Sequence, residues 1–404
     1  MASLRAGELP RDNGASDMTL LAESESVPAV DRSESELVAL ARALSFPECV
    51  DSWSEDAWRS RHRLAIEQRV GPLLYRSLSD RGSLGREPGL SALRKAYYQS
   101  AAENLVRLQE LNRLIGSDVV NDVVVVKGGA LAMDLYENPA LRPMSDLDLL
   151  VREEAFETWQ ARLIELGYRT VVPEMASGLE ESTRFQVSMV GGPAKSVLVE
   201  LHRSLVAGQR DSRAPDLGWV WAHTEPMHGG ARRLDPTANL IYLAAHAMLQ
   251  HRGAEMRLLW LVDIDRLVRR FGAEIDWDDA AAASGRFGWT NALDSALERC
   301  RAWFDTPIPA HRSAVGSSPA ATTPGSPDPV EEVSRGERVW GELGCLDWRA
   351  RARLALALAF PSPAYVRWRY PQFGSRWPLG YVYRWWRILV EAGVAVLGRW
   401  RRGR

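Results

Sequence analysis

Cysteine is scarce in this chain: Cys49, Cys300 and Cys345 are the three among 404 residues. Their odd number and wide separation exclude a zinc-finger spacing and a disulfide framework, and make a reducing cytoplasm the expected compartment. An excess of one charge is also lacking. Fifty Lys and Arg against 52 Asp and Glu give a formal net charge of −2, so nothing global argues for nucleic acid as a partner. Long apolar runs are missing too. The longest candidate, Ile388 to Leu397, is short for a membrane span and is interrupted by Glu391. Ala2 to Asp31 is mixed, polar and acidic, without the basic-then-apolar layout of a signal peptide. Tryptophan, by contrast, is plentiful. Many of the 16 lie beyond Trp219, which points to a helical region packed with bulky rings.

The length suits two or three domains. Residues 1–32 read as a disordered acidic tail and 33–118 as a helical region. There Ser33 and Glu36 have capping-box spacing, and helical periodicity runs through Asp56–Gln68, Gly71–Ser79 and Leu90–Ile115. Residues 119–230 alternate strands with helices. A helix over Glu153–Leu166 ends at Gly167, and strand candidates follow at Tyr168–Val172, Arg184–Val190 and Ser196–His202. Residues 231–306 return to helical periodicity: one helix from Asp235-Pro236 to His251, another over Glu255–Phe271, and two within Trp277–Phe304. The Pro-, Ser- and Gly-rich stretch 307–337 reads as a flexible linker, and 338–404 as a helical Trp/Arg-rich region.

The chemistry concentrates in Asn121–Val151, NDVVVVKGGALAMDLYENPALRPMSDLDLLV. An apolar strand, Val123–Val126, runs into Lys127 and the pair Gly128-Gly129. A short helical segment, a turn at Arg142 and a second strand follow. On that strand Asp146 and Asp148 share one face while Leu147 and Leu149 take the other. Two clustered carboxylates beside a glycine turn that opens backbone N–H groups to phosphate are the parts needed for a metal-bound triphosphate. An edge strand with two solvated acids is the plain alternative.

A third acid, Glu200, lies in Val197-Leu198-Val199-Glu200-Leu201-His202, where alternation places Leu198, Glu200 and His202 on one face. On so apolar a strand Glu200 is expected to pair with a cation such as Arg184, or to join Asp146 and Asp148 around metal if the strands are neighbours. Arg142 is read as a phosphate partner before a salt bridge to Asp146 or Asp148. Lys127 is read equally as a phosphate partner and as a solvated strand end. His202 is either a hydrogen-bonded structural histidine or a contact to metal or acceptor. Asp263 shares a helical stripe with Leu259, Trp260 and Leu267, so a buried structural pair is expected, with His246, His251 or Arg257 as partner; a place in the acceptor pocket comes second. In Tyr381–Arg404 a basic, Trp-bearing helix is expected to pack on its own domain, with its arginines covering apolar surface, rather than to lie on a membrane.

Lys-Gly-Gly, then Arg-Pro-Met-Ser-Asp-Leu-Asp-Leu-Leu-Val, then Val-Glu-Leu-His resembles the uncharacterised nucleotidyltransferase family, a branch of the DNA-polymerase-β-like superfamily. The resemblance runs over about Ser35–Pro309 and includes His246, His251, Arg257, Trp260 and Asp263. It implies an α/β (α+β) fold: a polymerase-β-like core with a mixed sheet, flanked by N-terminal and C-terminal helical regions. It also implies Asp146, Asp148 and Glu200 as catalytic and metal-binding acids, with Mg²⁺ or Mn²⁺ as the ion. Lys127, Gly128, Gly129, Arg142 and Ser145 fall on the nucleotide side. Where the superfamily usually carries Gly-Ser, this chain has Gly128-Gly129. The expected activity is transfer of NMP, by default AMP from ATP, from an NTP to an unidentified small molecule, peptide or protein, with pyrophosphate released. Two other readings stand beside it: a kinase moving the γ-phosphate on the same site, and a non-catalytic nucleotide- or partner-binding protein.

Overall fold

The computed structural model describes residues 34–81, 89–116, 123–173, 186–206, 215–250, 256–309, 352, 356–357 and 359–387. Four helices lead in: α1 (Glu34–Ser45), α2 (Glu55–Glu67), α3 (Gly71–Asp80) and α4 (Leu90–Ile115). Ser54 caps α2 by accepting from the Ala57 N–H at 3.2 Å, and Glu55 and Asp56 place negative charge on its first turn. Ser33 lies outside the described residues. Glu36, its expected capping partner, instead accepts two hydrogen bonds from Arg61, at 2.9 and 3.1 Å.

Seven strands form one mixed sheet: β1 (Val123–Val126), β2 (Asp146–Val151), β3 (Arg169–Thr170), β4 (Gln186–Gly191), β5 (Val197–His202), β6 (Thr224–Pro226) and β7 (Arg232–Leu234). Their order is β3-β4-β5-β2-β1-β7-β6. The central pairs are β1–β2, antiparallel, and β2–β5, parallel. Helix α5 (Lys127–Asp134) links β1 to the loop before β2, α6 (Phe156–Glu165) follows β2, and α7 (Leu217–Ala222) precedes β6. The sheet runs past residue 230, where sequence periodicity had suggested that it ended, because the β6–β7 hairpin adds its second strand alongside β1.

Beyond the sheet come α8 (Pro236–Ala245), α9 (Leu258–Phe271), α10 (Trp277–Phe287) and α11 (Thr290–Phe304). Asp235 caps α8 by accepting from the Ala238 N–H at 2.8 Å, with Pro236 in the first turn, where its missing donor costs nothing. A π-helical turn, His246–Gln250, continues α8.

Strict alternation divides the core. Val123, Val125, Leu147, Leu149, Val197, Val199 and Leu201 face one apolar cluster with α6 and the end of α4. Val124, Val126 and Leu150 face the other, which is shared by α1–α3 and α8–α11. The two helical regions that sequence separated, before and after the sheet, therefore build a single layer over one sheet face. Cys300 is buried, Cys49 half-buried, and both are free thiols. Further on lie α12 (Pro363–Arg369), a 3-10 turn (Pro371–Arg376) and a helix over 379–387. Among the described residues no helix is long and apolar enough to cross a membrane.

Candidate active site

The site forms where the middle strands meet the helical layer. Register sets Asp148 beside Val126 on one side and beside Glu200 on the other, with His202 beside Leu150. Asp148, Glu200 and His202 are all but buried, while Asp146, at the start of β2, is more open. The Lys127 ammonium donates to Asp148 Oδ1 at 2.7 Å, and His202 Nε2 lies 2.9 Å from the same oxygen and 3.6 Å from Glu200 Oε2. Ser188 Oγ donates to Glu200 Oε1 at 3.3 Å, and Ser145 Oγ to Asp146 Oδ2 at 3.2 Å. Asp148 Oδ2 is buried with no hydrogen-bond partner.

These neighbours push the acids apart. Burial acts to raise Asp148, but the Lys127 ammonium and the hydrogen bond from His202 overcome it and hold the carboxyl well below the usual range. Glu200 moves the other way: burial first, then repulsion from Asp146 and Asp148, raises it well above. Asp146 is raised to about 6 by burial and by Asp148, with Lys127 and Arg69 opposing. Lys127 stays charged, because the carboxylates, Asp148 foremost, outweigh a burial that would lower it. Burial lowers His202 against the pull of Asp148 and favours a neutral imidazole.

The residues fit a divalent cation. Asp148, Glu200 and His202 each bring a ligand atom within 4.8 Å of the other two, and the orphaned Asp148 Oδ2 is a donor aimed at nothing else. His202 thus stands in the compact group where sequence had set Asp146, and Asp146 lies at its rim. A neutral imidazole ligates through Nε2 once its proton sits on Nδ1.

Gly128 and Gly129 are not a loop but the first turn of α5, entered through Lys127 at φ 47°. Their role in packing is direct. A Cβ on Gly128 would lie 2.9 Å from Arg142 Nη1, and one on Gly129 would lie 3.0 Å from Val125 Cγ1. A helix start of this kind has backbone N–H groups without an intrahelical partner, which suits an anion. Arg142 cannot give way, since its other nitrogens are engaged. Gly128→Ala is therefore expected to cost about 1–3 kcal/mol of stability through overpacking, as read by urea unfolding. An unchanged midpoint would show that the Arg142 fork is free to shift.

Arg142 itself requires a correction. The expected phosphate partner is replaced by Asp263: Nε donates to Oδ1 at 2.9 Å and Nη2 to Oδ2 at 2.8 Å, with both residues buried. Tyr136 adds a donor to Asp263 Oδ1 at 2.7 Å. Asp263 is thus buried and paired as its helical stripe implied, but through Arg142 and Tyr136. Of the partners proposed from sequence, His246 contacts Gln250 and Trp260, Arg257 lies over the Trp260 ring, and His251 falls outside the described residues, as does Arg184.

Three residues near the site carried no signal in sequence. Tyr242 on α8 is fully buried, and burial raises its phenol while Lys127 opposes and Asp148 reinforces. Arg69, at the α2–α3 junction with φ 59°, is close enough to Asp146 to favour its charged form. Asn104 on α4 ties down the approach to β2, donating to Pro139 O at 2.7 Å and Arg142 O at 2.8 Å.

A mixed sheet under a helical layer, with acids on neighbouring strands beside a glycine helix start, is the architecture of an α/β nucleotidyltransferase core. A family model described as uncharacterised nucleotidyltransferase matches residues 54–305, and the chain belongs to that family. No curated protein and no solved structure matches it.

Proposed function

We propose that the chain transfers NMP, with ATP as the default donor by abundance, to an acceptor nucleophile and releases pyrophosphate. The observation that carries this reading is the juxtaposition of Asp148 and Glu200 on paired strands, with Asp148 held ionised and Glu200 pushed up by burial and by the neighbouring carboxylates. Asp148 and Asp146 take the nucleotide side, with the backbone N–H groups of Gly128 and Gly129 and the Lys127 ammonium turned to the phosphates. Ser145 steadies Asp146. Glu200 receives the acceptor proton as the new acceptor–Pα bond forms and the Pα–O–Pβ bond breaks. Asp148 and Glu200, with His202 or Asp146, would hold Mg²⁺ or Mn²⁺, which would supply neutralisation of phosphate charge and a more acidic attacking hydroxyl. A nitrogen ligand in the set tilts the choice towards Mn²⁺.

The test incubates the protein, Mg²⁺ or Mn²⁺ and a panel of hydroxyl- and amine-bearing acceptors with ATP labelled at either the α or the γ position. Label from the α position is expected in product, alongside free pyrophosphate. Transfer of γ label alone makes the protein a kinase. Metal-dependent ATP binding without turnover on a broad panel makes it a nucleotide-binding protein.

A further inference from the structure

The C-terminal region has a character of its own. Residues 351–404 hold eleven arginines, no lysine and one acid, Glu391, a local charge of +10 in a chain whose formal net charge is −2. The first 350 residues therefore carry −12, and the basic charge is segregated at one end.

Its helix over 379–387 holds the described part of the expected Tyr381–Arg404 helix, of which 388–404 lie outside the described residues. Arg384 is buried, its guanidinium 5.9 Å from the Tyr365 ring centre, as an arginine covering apolar surface would be, while Leu379, Val382, Trp385 and Trp386 are exposed, Val382 by 63 % and Trp386 by 58 %. Spacings of three and four residues line Leu379, Val382 and Trp386 along one stripe. Leu356 and Phe360 add exposed apolar surface, at 64 % and 58 %. Its described residues nonetheless pack together. Tyr365, Val366 and Tyr370 are buried, Trp385 Nε1 donates to Ala359 O at 2.7 Å, and the Phe360 and Trp385 rings meet edge to face at 5.2 Å.

We propose that this face docks on an anionic lipid surface, with the Leu379–Val382–Trp386 stripe entering the headgroup–acyl boundary and the arginines meeting lipid phosphates. Exposed apolar area gathered on one side and flanked by cationic side chains is what an interfacial element requires. Arg376 is exposed, and Arg367 stacks over the Trp377 ring at 4.3 Å, an amphipathic pair of the kind found at membrane interfaces. Nucleic acid would also answer the charge, but it has no use for Val382, Leu379 and Leu356, which offer no ring to stack. The acidic first 350 residues of a second copy would answer the charge as well, yet an acidic surface leaves the aliphatic stripe in water.

The experiment is flotation of the full-length chain with phosphatidylcholine vesicles, with or without about one-third phosphatidylglycerol, at low and high salt. Binding to the anionic vesicles is expected to exceed binding to neutral ones at least tenfold, and to fall when salt is raised. Val382→Ser with Trp386→Ser replaces exposed side chains only, so it should leave the melting temperature unchanged and weaken vesicle binding about tenfold. Equal binding to both vesicle types, or none, overturns the proposal. So does RNA binding or concentration-dependent dimerisation that the double variant weakens while vesicles go unbound. Because flotation needs neither ATP nor acceptor, its result is independent of the transfer reaction.

Discussion

Asp263→Ala is expected to lower the free energy of unfolding by about 3–5 kcal/mol, the scale for stranding one member of a buried ion pair. The Arg142 guanidinium would keep its place beneath Gly128 with neither of its two carboxylate bonds, and the Tyr136 hydroxyl would lose its acceptor as well. Desolvation, not attraction, sets the size of the loss. Replacing both partners by apolar residues of similar volume, Arg142→Met with Asp263→Leu, should therefore recover most of the stability. Urea unfolding of the two single variants and the double variant separates these contributions as a cycle. Arg142→Ala should weaken adenosine, ADP and ATP alike, because what it disturbs is the buried packing beneath Gly128 rather than one phosphate contact. Wild-type melting of Asp263→Ala combined with lost turnover would move Asp263 into the acceptor pocket. Selective loss of triphosphate affinity in Arg142→Ala would return Arg142 to the phosphates.

The reach of that pair also shows where sequence stops being informative. Arg142 and Asp263 are 121 residues apart, and periodicity reports which face a side chain takes, never what stands opposite. The strands were legible for the same reason: Val123–Val126 and Asp146–Val151 are short apolar runs bounded by turn residues, and alternation correctly split Asp146 and Asp148 from Leu147 and Leu149. Helix α4 was legible to its last residue, since Gly89 and Gly116 bracket it. What alternation left open was whether β5 lies next to β2, because a crossover of about fifty residues decides that. The register Asp148↔Glu200 closed the question and drew His202 into the same cluster. Tyr242 could not be singled out, since a tyrosine in the run Leu240–Ala245 looks like any other core residue. In the described part of the C-terminal helix Arg384 covers an apolar ring, as expected, while Trp386 stays exposed, because amphipathicity fixes two faces without saying which one meets solvent.

Glu200→Gln is expected to slow turnover by about 10²–10⁴-fold while ATP affinity falls far less, since the amide keeps the shape, the Ser188 contact and a neutral oxygen ligand but accepts no proton. Asp148→Asn should act one step earlier and remove metal-linked binding altogether, because Asp148 offers the cluster's one orphaned oxygen and the anchor for Lys127. Acidity sets the sign of a matching stability measurement. Without metal, Glu200 and Asp146 have folded pKa values raised above roughly 4, the unfolded value. The folded state then holds the extra protons, so stability declines as pH rises through that value and, for Asp146, on to about 6. Asp148, depressed, works in the opposite sense: its contribution is present above roughly 4 and is lost as pH falls below that towards its folded value. A divalent cation needs the deprotonated carboxylates, so binding releases protons and stabilises most where the apo protein suffers most. The rise in melting temperature on adding Mn²⁺ or Mg²⁺ should accordingly be larger at pH 8 than at pH 5.5 in wild type, and close to zero at both in Asp148→Asn. A rise undiminished in Asp148→Asn would place the cation elsewhere, and a larger rise at pH 5.5 would mean that neither Glu200 nor Asp146 gives up a proton to it.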